Sequence, residues 1–226
     1  MKSYAVLKKV PLLASLSDTD LRDLWSSLRV QRLQEKQALF RKGDEGTALY
    51  IIKKGKIKIV LLSRVGEEVI LTIFSEGDFL GEMSLLDQKP RSADAVAIEQ
   101  SEVYILNRSD FLSFLQNNEN AIKCVLSSLS ERLRKTDDLL EDTSFLSVSG
   151  RFAKKLLELG KESGKTEKDT TKIGLKLTQQ DLADLVGTTR ESINKELKVL
   201  RAKGLVSTGG GYIQLLDLAR LRRRVH

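Results

Sequence analysis

Between Gln37 and Leu106 the sequence repeats short apolar runs that are separated by glycine turns. The runs include ALYIIKKGKIKIV, VILTIF and VYIL, and the turns include KGDEG, KKGK, RVGEE and SEGDFLGE. Glycine tolerates the positive φ of tight turns, and short strands spaced by such turns are typical of antiparallel sheets. The pattern therefore predicts an antiparallel barrel or sandwich in the first half of the chain.

The cysteine and histidine content narrows the chemistry that the chain can support. Its one cysteine, Cys124, excludes an intrachain disulfide and a cysteine-built zinc or iron–sulfur site. Its one histidine is the last residue, His226, which leaves none for a heme ligand, a zinc cluster or a Ser-His-Asp triad in the body of the fold. We therefore expect no metal, no heme, no iron–sulfur cluster and no catalytic residues, and we expect that the protein is not an enzyme.

The hydropathy of the chain argues against contact with a membrane. No uninterrupted apolar run is long enough to cross a bilayer. The first residues, MKSYAVLKKVPLL, lack the apolar core of a secretory signal. We therefore expect a cytoplasmic protein with no membrane partner.

Positive charge is concentrated in the C-terminal third of the chain. From residue 149 onward there are 17 basic and 9 acidic residues, whereas the first 148 residues hold 21 basic and 22 acidic ones. A basic module beside a nearly neutral one favours a polyanionic partner for the basic module. Charge alone is equally compatible with a well-solvated, lysine-rich surface.

The spacing of apolar residues predicts helices in three segments outside the strand region. A short amphipathic helix covers Leu16–Leu28, a long helical stretch covers Ser109–Asp142, and a helix at Gly150–Leu159 begins the basic module. The polar segment KESGKTEKDT, residues 161–170, is predicted to be a loop.

The long helical stretch carries a heptad pattern. Six positions, called the seam below, are spaced 4, 3, 4, 3 and 4 residues apart: Ile122, Leu126, Leu129, Leu133, Thr136 and Leu140. This is the a/d spacing of a two-stranded coiled coil, so we predict that the aliphatic members of the seam form a dimer interface. The alternative is a helix packed on its own barrel, which needs a broader apolar face. Val125 and Leu139 widen the stripe, so some packing of that kind is also expected.

The stretch LTQQDLADLVGTTRESINKELKVLRAKGLV has the pattern of a helix-turn-helix. Thr178 with Asp181 is predicted to begin the first helix, and Gly187 to form the turn. Thr188 with Glu191 is predicted to form the capping box of the second helix. The following residues, LVSTGGGYIQLL, predict a two-stranded wing with a glycine turn.

The second helix of this motif is predicted to be amphipathic. Ile193, Leu197 and Leu200 form its apolar stripe. This leaves four residues on the outer face near the N-terminal end: Arg190, Glu191, Asn194 and Lys195. A recognition helix meets base edges at that end. The alternative, a helical hairpin with no ligand, is disfavoured by the charge asymmetry. We expect DNA contacts from Thr178, Gln179, Thr188, Thr189, Arg190, Glu191, Asn194 and Lys195.

These patterns together resemble the cyclic-AMP receptor and fumarate–nitrate regulator family of bacterial transcription factors, over nearly the whole chain. The most specific stretch is GEMSLLDQKPRSADA, residues 81–95, which is similar to the phosphate-binding cassette of the family. The resemblance implies an α+β fold with an N-terminal, jelly-roll-like antiparallel β-barrel that binds a cyclic nucleotide, a long dimerisation helix, and a C-terminal winged helix-turn-helix. The expected domains are 1–108 for the nucleotide sensor, 109–145 for the dimerisation helix and hinge, and 146–226 for DNA binding.

The resemblance also assigns a nucleotide site. Backbone N–H groups after Gly81 and the guanidinium of Arg91 would bind the cyclic phosphate, and Glu82 would accept a hydrogen bond from the ribose 2′-OH. Arg132 and Thr136 match positions that close over the nucleotide in the family, with Thr136 at the purine. The full expected set is Gly81, Glu82, Met83, Arg91, Ser92, Arg132, Thr136 and Asp137.

Two residues depart from the pattern of the cyclic-AMP receptor, which has serine in place of Asp137 and arginine in place of Lys195. We expect cyclic AMP as the allosteric ligand. Cyclic GMP is the alternative, because a carboxylate at Asp137 suits the ring N–H and amino group of guanine. The iron–sulfur branch of the family needs a cysteine cluster and the heme branch an internal histidine, so both sensors are excluded.

The sequence therefore predicts a ligand-controlled, sequence-specific DNA-binding regulator. Its expected partners are double-stranded DNA with a two-fold palindromic site, a second copy of the chain, and RNA polymerase. One alternative is a family member that binds DNA without any nucleotide. Another, from a different class, is the regulatory nucleotide-binding module of a signalling enzyme or channel, which the helix-turn-helix argues against.

Overall fold

The structure is a computed structural model that describes residues 4–14, 16–167 and 170–225. The chain divides into two compact units. The first unit comprises Met1–Gly66 with Leu71–Arg134, and the second comprises Glu67–Ile70 with Lys135–His226.

Strands make up most of the chain before the long helix. In chain order the elements are 3₁₀ helices at Tyr4–Lys9 and Pro11–Leu13, then α1 (Asp18–Ser27), β1 (Arg29–Leu33), β2 (Ala38–Phe40), β3 (Ala48–Lys54), β4 (Ile57–Leu62), β5 (Glu68–Phe74), β6 (Phe79–Leu80), α2 (Glu82–Asp87), β7 (Asp94–Ala97), β8 (Ser101–Asn107), α3 (Arg108–Gln116) and α4 (Glu119–Phe145).

The strands form two four-stranded sheets, in the orders β1-β8-β3-β6 and β2-β7-β4-β5. The facing sides of the sheets share one apolar core, which includes Ile52 and Val103. The other side of the first sheet packs against α1, α3 and the start of α4 in a second core, to which Ile51 and Leu106 belong. Strands β3 and β8 are thus buried on both faces, which explains their nearly continuous apolar sequence. The antiparallel sheet structure predicted for this part of the chain, as a barrel or sandwich, is confirmed.

The helical stretch predicted at Ser109–Asp142 is two helices, not one. Asn117 ends α3, and its side-chain amide donates to the carbonyl of Ser113. Asn118 begins α4, because its side-chain oxygen accepts a hydrogen bond from the backbone N–H of Ala121. Asparagine forms such local bonds in place of the helical ones, so two in succession separate the helices.

The DNA-binding half predicted from the sequence begins just after α4. Its elements are α5 (Val148–Ser163), β9 (Gly164–Glu167), β10 (Thr170–Ile173), α6 (Gln179–Val186), α7 (Arg190–Ala202), β11 (Val206–Gly209), β12 (Tyr212–Leu215) and α8 (Leu218–Arg222). Helix α5 packs against α6, α7 and α8. The predicted helix-turn-helix and wing are therefore present as α6, α7 and the β11–β12 pair.

The segment 161–170 was predicted to be a loop, and that prediction is wrong for its described residues. Residues 161–163 complete α5, residues 164–167 form β9, and Thr170 belongs to β10, which pairs antiparallel with β9. Thr171 and Ile173 are buried, whereas Lys172 between them is exposed. A strand that buries only alternate residues can have a largely polar sequence, so polarity alone gave no strand signal. The hairpin extends the wing to a four-stranded sheet, β11-β12-β10-β9.

The cap of α7 also differs from the prediction. Thr189 is the N-cap, and its hydroxyl accepts a hydrogen bond from the backbone N–H of Ser192 at 3.2 Å. The predicted capping box of Thr188 with Glu191 is therefore wrong. The N–H of Thr188 instead donates to the carbonyl of Ala183 and closes the end of α6. Two adjacent threonines offer the same capping chemistry, and the closure of α6 decides between them.

Candidate functional site

A buried arginine lies behind the turn that begins α2. Arg91 is 4% exposed, and its Nη1 and Nη2 donate to the carbonyl oxygens of Gly81 and Ala48, both at 2.7 Å. Its guanidinium lies over the ring of Phe40, 4.4 Å from the centroid. Burial lowers the pKa of Arg91 from its ordinary value, but a guanidinium stays charged in proteins. A desolvated positive charge is thus held next to Gly81.

Gly81 is required at this turn by its backbone and by its neighbours. Its φ is +88°, a conformation that residues with a Cβ rarely adopt. A Cβ at this position would lie 2.5 Å from Nη1 of Arg91 and 3.2 Å from the carbonyl oxygen of Ala48. Any side chain here would therefore displace the Arg91 guanidinium.

Glu82 and Arg132, both predicted to meet the nucleotide, contact each other. Glu82 is 1% exposed, and its Oε1 accepts a hydrogen bond from Nη1 of Arg132 at 2.5 Å. Nη2 of Arg132 donates to the carbonyl of Phe79 at 2.6 Å, and the guanidinium lies over the ring of Phe74. Within the described part of the chain, Oε2 of Glu82 has no hydrogen-bond partner. One carboxylate oxygen is therefore left to accept a bond from a ligand.

The other predicted nucleotide-site residues are exposed: Met83, Ser92, Thr136 and Asp137. Met83 and Ser92 directly follow Glu82 and Arg91 in the sequence, so their backbones belong to the same cassette. Thr136 and Asp137 lie on α4 after Arg132. The structure brings together Gly81, Glu82, Arg91 and Arg132, and the role of each of the eight residues stays a prediction.

The seam is exposed along most of α4. Leu126, Leu133 and Leu140 are 58%, 63% and 67% exposed, and Ile122 is also exposed. Leu129 is partly buried and packs against the core of the first unit, to which the buried Val125 belongs. The early part of α4 thus packs on its own unit, as the widened stripe predicted, while several seam leucines stay uncovered. Lines of exposed leucines mark surfaces that bind a partner.

The first helix of the helix-turn-helix begins as predicted. Thr178 and Asp181 form a reciprocal capping box at the start of α6, and Gly187 ends the helix with a φ of +65°. In α7 the predicted stripe of Ile193, Leu197 and Leu200 is buried. Of the predicted DNA contacts, Thr188 and Asn194 are half-buried, and the following are exposed: Thr178, Gln179, Thr189, Arg190, Glu191 and Lys195. On α7, Arg190, Glu191 and Lys195 are therefore on the outer face as predicted, whereas Asn194 is only partly exposed.

Sequence reasoning missed an arginine that supports this motif. Nε of Arg151 donates to the carbonyl of Val186 at 3.1 Å, and its Nη1 donates to the carbonyl of Leu146 at 3.0 Å. Arg151 therefore satisfies carbonyls at the end of α6 and just after α4. These partners are 35 and 5 residues away in the sequence, so no local pattern could have shown both contacts.

A group of lysines around the wing was also missed. Nζ of Lys172 lies 4.4 Å and Nζ of Lys176 5.6 Å from the centre of the Tyr212 ring. Tyr212 follows the turn at Gly210 and Gly211, whose positive φ values suit a two-residue hairpin. We call Lys172, Lys176 and Tyr212 the wing cluster. It places two lysine side chains beside the wing. Lys176 also lies just before the start of α6, where DNA contacts were predicted.

Two further features concern the described residues only. No helix among them combines the length and apolar character that a membrane span needs. No group of three or more His, Cys, Asp and Glu side chains in the same ranges is arranged to hold a metal ion.

Two family models match the chain. Residues 30–118 match the cyclic nucleotide-binding domain, and residues 150–224 match the Crp-like helix-turn-helix domain. The CRP-like cAMP-activated global transcriptional regulator of Mycobacterium tuberculosis (strain ATCC 25618 / H37Rv) is 31% identical over 219 residues, which cover 97% of this chain and 98% of that protein. The cyclic AMP receptor protein of Thermus thermophilus is 32% identical over 218 residues, covering 95% and 96%.

The fold comparison agrees. The structure of CLP, a c-di-GMP responsive global regulator from Xanthomonas campestris, superposes with a TM-score of 0.75 at 26% identity, covering 89% of this chain and 99% of that one. The M. tuberculosis relative is named as a transcriptional regulator, and the two domain matches account for a cyclic nucleotide-binding domain and a helix-turn-helix domain in this chain. The chain therefore belongs to the cyclic-AMP receptor and fumarate–nitrate regulator family of transcription factors.

Proposed function

We propose that this regulator is a cytoplasmic homodimer that cyclic AMP switches to a form binding a two-fold symmetric DNA site, from which it acts on RNA polymerase. Four parts of this proposal go beyond family membership: the ligand, the dimer, the symmetry of the DNA site and the contact with RNA polymerase. The three-domain division at residues 108 and 145 belongs to the same proposal.

The observation that carries the nucleotide part is a pair of buried polar atoms of opposite kind. Nε of Arg91 is a donor and Oε2 of Glu82 is an acceptor, and neither has a hydrogen-bond partner among the described residues. Leaving such a group unpaired when buried costs about 1–3 kcal/mol. A ligand that presents an anionic phosphate and a hydroxyl donor satisfies both atoms, and a cyclic nucleotide carries both groups.

The residues of the proposed site specify the purine base less closely than they specify the phosphate. Cyclic AMP is favoured because the M. tuberculosis and T. thermophilus relatives are named for it. The carboxylate of Asp137 is the one feature that favours cyclic GMP. Replacement by serine, Asp137→Ser, should shift preference toward adenine if this carboxylate meets the base.

Calorimetric titration with cyclic AMP, cyclic GMP and cyclic di-GMP tests the ligand. Cyclic di-GMP is included because CLP is described as responsive to it. Arg91→Ala should abolish binding of the preferred nucleotide. It should also destabilise the fold by about 1–3 kcal/mol, because the carbonyls of Gly81 and Ala48 lose their donor.

Lys54→Gln is a suitable control, because it removes an exposed cation from the same unit. It should bind nucleotide like the wild type. Unchanged affinity in a folded Arg91→Ala protein would refute the assignment of the phosphate. Absence of heat with all three nucleotides would favour the family member that needs no ligand.

The DNA part is supported by the exposed residues near the start of α7. A two-fold dimer places its recognition helices in successive major grooves, about 34 Å apart. Arg190 should bond a guanine edge bidentately, and Glu191 should accept from a cytosine amino group. Lys195 offers only a point charge, so discrimination at its base pair should be weaker than with arginine.

Selection from random duplexes with saturating nucleotide tests this part. We expect a near-palindromic motif, and Arg190→Ala should weaken binding to that site by about 1–3 kcal/mol with a much smaller effect on random DNA. If no two-fold motif emerges, or if Arg190→Ala weakens binding to all sequences equally, α7 does not read bases.

A further inference from the structure

The C-terminal segment after α8 bonds two helices of the second unit to each other. Nη2 of Arg224 donates to the hydroxyl of Ser149 in the first turn of α5 at 2.7 Å. The same nitrogen lies 3.5 Å from Oε2 of Glu196 on α7. One guanidinium thus bridges the start of α5 and the predicted recognition helix.

The bridge is largely removed from solvent. The side chains of Arg224 and Glu196 are 22% and 19% exposed. Nε of Arg224 and Oε2 of Glu196 are both buried without a hydrogen-bond partner among the described residues. Removing one member would therefore leave a desolvated charge on the other, which is more damaging than loss of an exposed ion pair.

The main chain of this segment is packed as closely as its side chain. A Cβ on Gly150, next to Ser149, would lie 3.1 Å from the carbonyl oxygen of Val225. Leu221 of α8 is fully buried, and α8 packs on α5. The segment therefore has a fixed place from which Arg224 can act on α7.

Glu196 lies at a position from which α7 can be oriented. It follows Ile193 by three residues and precedes Leu200 by four, so it borders the buried stripe and not the face of Lys195. Arg190 lies six residues away, about 9 Å along the axis at 1.5 Å per residue. A tilt of about 6° around Glu196 would move Arg190 by roughly 1 Å, enough to spoil a bidentate hydrogen bond.

We propose that Arg224 is a positioning residue for DNA recognition. Through its hydrogen bond to Ser149 and its ion pair with Glu196, it fixes the orientation of α7 relative to the first turn of α5, and so holds Arg190 and Glu191 where they meet base edges. This inference rests on the proposed function, because it requires that α7 reads DNA.

The test uses the full chain with saturating cyclic AMP, the duplex chosen by the selection experiment, and a scrambled duplex of equal length. Arg224→Gln is compared with Arg223→Gln, which removes the same charge from the adjacent, exposed position. Arg224→Gln should weaken binding to the selected duplex by about tenfold more than the control does. Both variants should bind the scrambled duplex alike, because each loses one positive charge.

A double-mutant cycle tests whether Glu196 is the partner. Combining Arg224→Gln with Glu196→Gln should weaken specific binding no more than Arg224→Gln alone, and Arg224→Lys should restore part of the lost affinity. Thermal unfolding of each variant identifies any that does not fold. The rate of backbone amide hydrogen exchange in the first turn of α7 is then compared between Arg224→Lys and wild type.

Two results would overturn the proposal, and they differ from failure of the proposed function. If wild type prefers the selected duplex but Arg224→Gln behaves like Arg223→Gln, Arg224 has no positioning role. If the two substitutions in the cycle act additively, Glu196 is not its partner. If wild type shows no preference between the duplexes, recognition by α7 is itself refuted and the inference falls with it.

Discussion

Replacing one exposed leucine of the seam should dissociate the proposed dimer. Leu133→Lys is the informative change, because Leu133 is 63% exposed in the single chain. Leu129→Lys is less suitable, since Leu129 packs on the core of the first unit and its loss would also destabilise the monomer. The effect of Leu133→Lys should therefore fall on association alone.

The magnitude follows from the exposed area. Full burial of a leucine side chain contributes about 1.5–3 kcal/mol, so covering the exposed part of Leu133 contributes roughly 1–2 kcal/mol in each protomer. Losing it from both protomers should remove about 2–4 kcal/mol, which raises the dissociation constant roughly 30- to 700-fold. Two lysines facing each other across the interface add repulsion to that loss.

Sedimentation velocity over a range of protein concentrations measures the change. Ser127→Lys is the matched control, since it adds the same charge at an exposed position of α4 outside the seam. A Leu133→Lys protein that dimerises as tightly as wild type would refute the prediction that the seam is the dimer interface. Equal dissociation by Ser127→Lys would show that added charge on α4 is responsible, and not the lost leucine.

Three further changes test other parts of the structure. Gly81→Ala should lower nucleotide affinity at least tenfold by displacing Arg91, with about 1–3 kcal/mol lost from stability, measured by calorimetry and thermal unfolding. Replacing both lysines of the wing cluster with glutamine should weaken specific and random DNA alike. It should reduce the slope of log affinity against log salt by up to about 0.9 per lost phosphate contact. Burial raises the pKa of Cys124, so its alkylation at neutral pH should be slower than that of free cysteine and should accelerate as pH rises, followed by mass spectrometry.

Features that depend on neighbouring residues were predictable from the sequence. The start of α6 at Thr178 with Asp181 and the turn at Gly187 depend on local sequence, and both are present as predicted. The strands of the first half were also predictable, because glycine turns separate their apolar runs. The choice of Thr189 over Thr188 as the N-cap of α7 was not predictable, because it depends on which residue closes the end of α6.

Contacts between distant residues could not be derived from pattern alone. Arg132 and Glu82 are 50 residues apart, and their hydrogen bond appears only once α4 packs against the strands. Arg224 reaches Ser149 across 75 residues. The β9–β10 hairpin was missed because its two buried side chains in β10, Thr171 and Ile173, are too few to stand out from the surrounding polar residues.

The uneven burial of α4 has a consequence for how much of the protein is folded in the cell. Val125 is covered within one chain, whereas Leu133 and Leu140 become covered only in the proposed dimer. By mass action, the free energy of unfolding of such a dimer increases with protein concentration. The melting temperature should then rise on concentrating the sample, and hydrogen-exchange protection should decline from residue 125 toward residue 140 on dilution. A cell that makes more of this regulator would thereby also make each copy more resistant to unfolding and proteolysis.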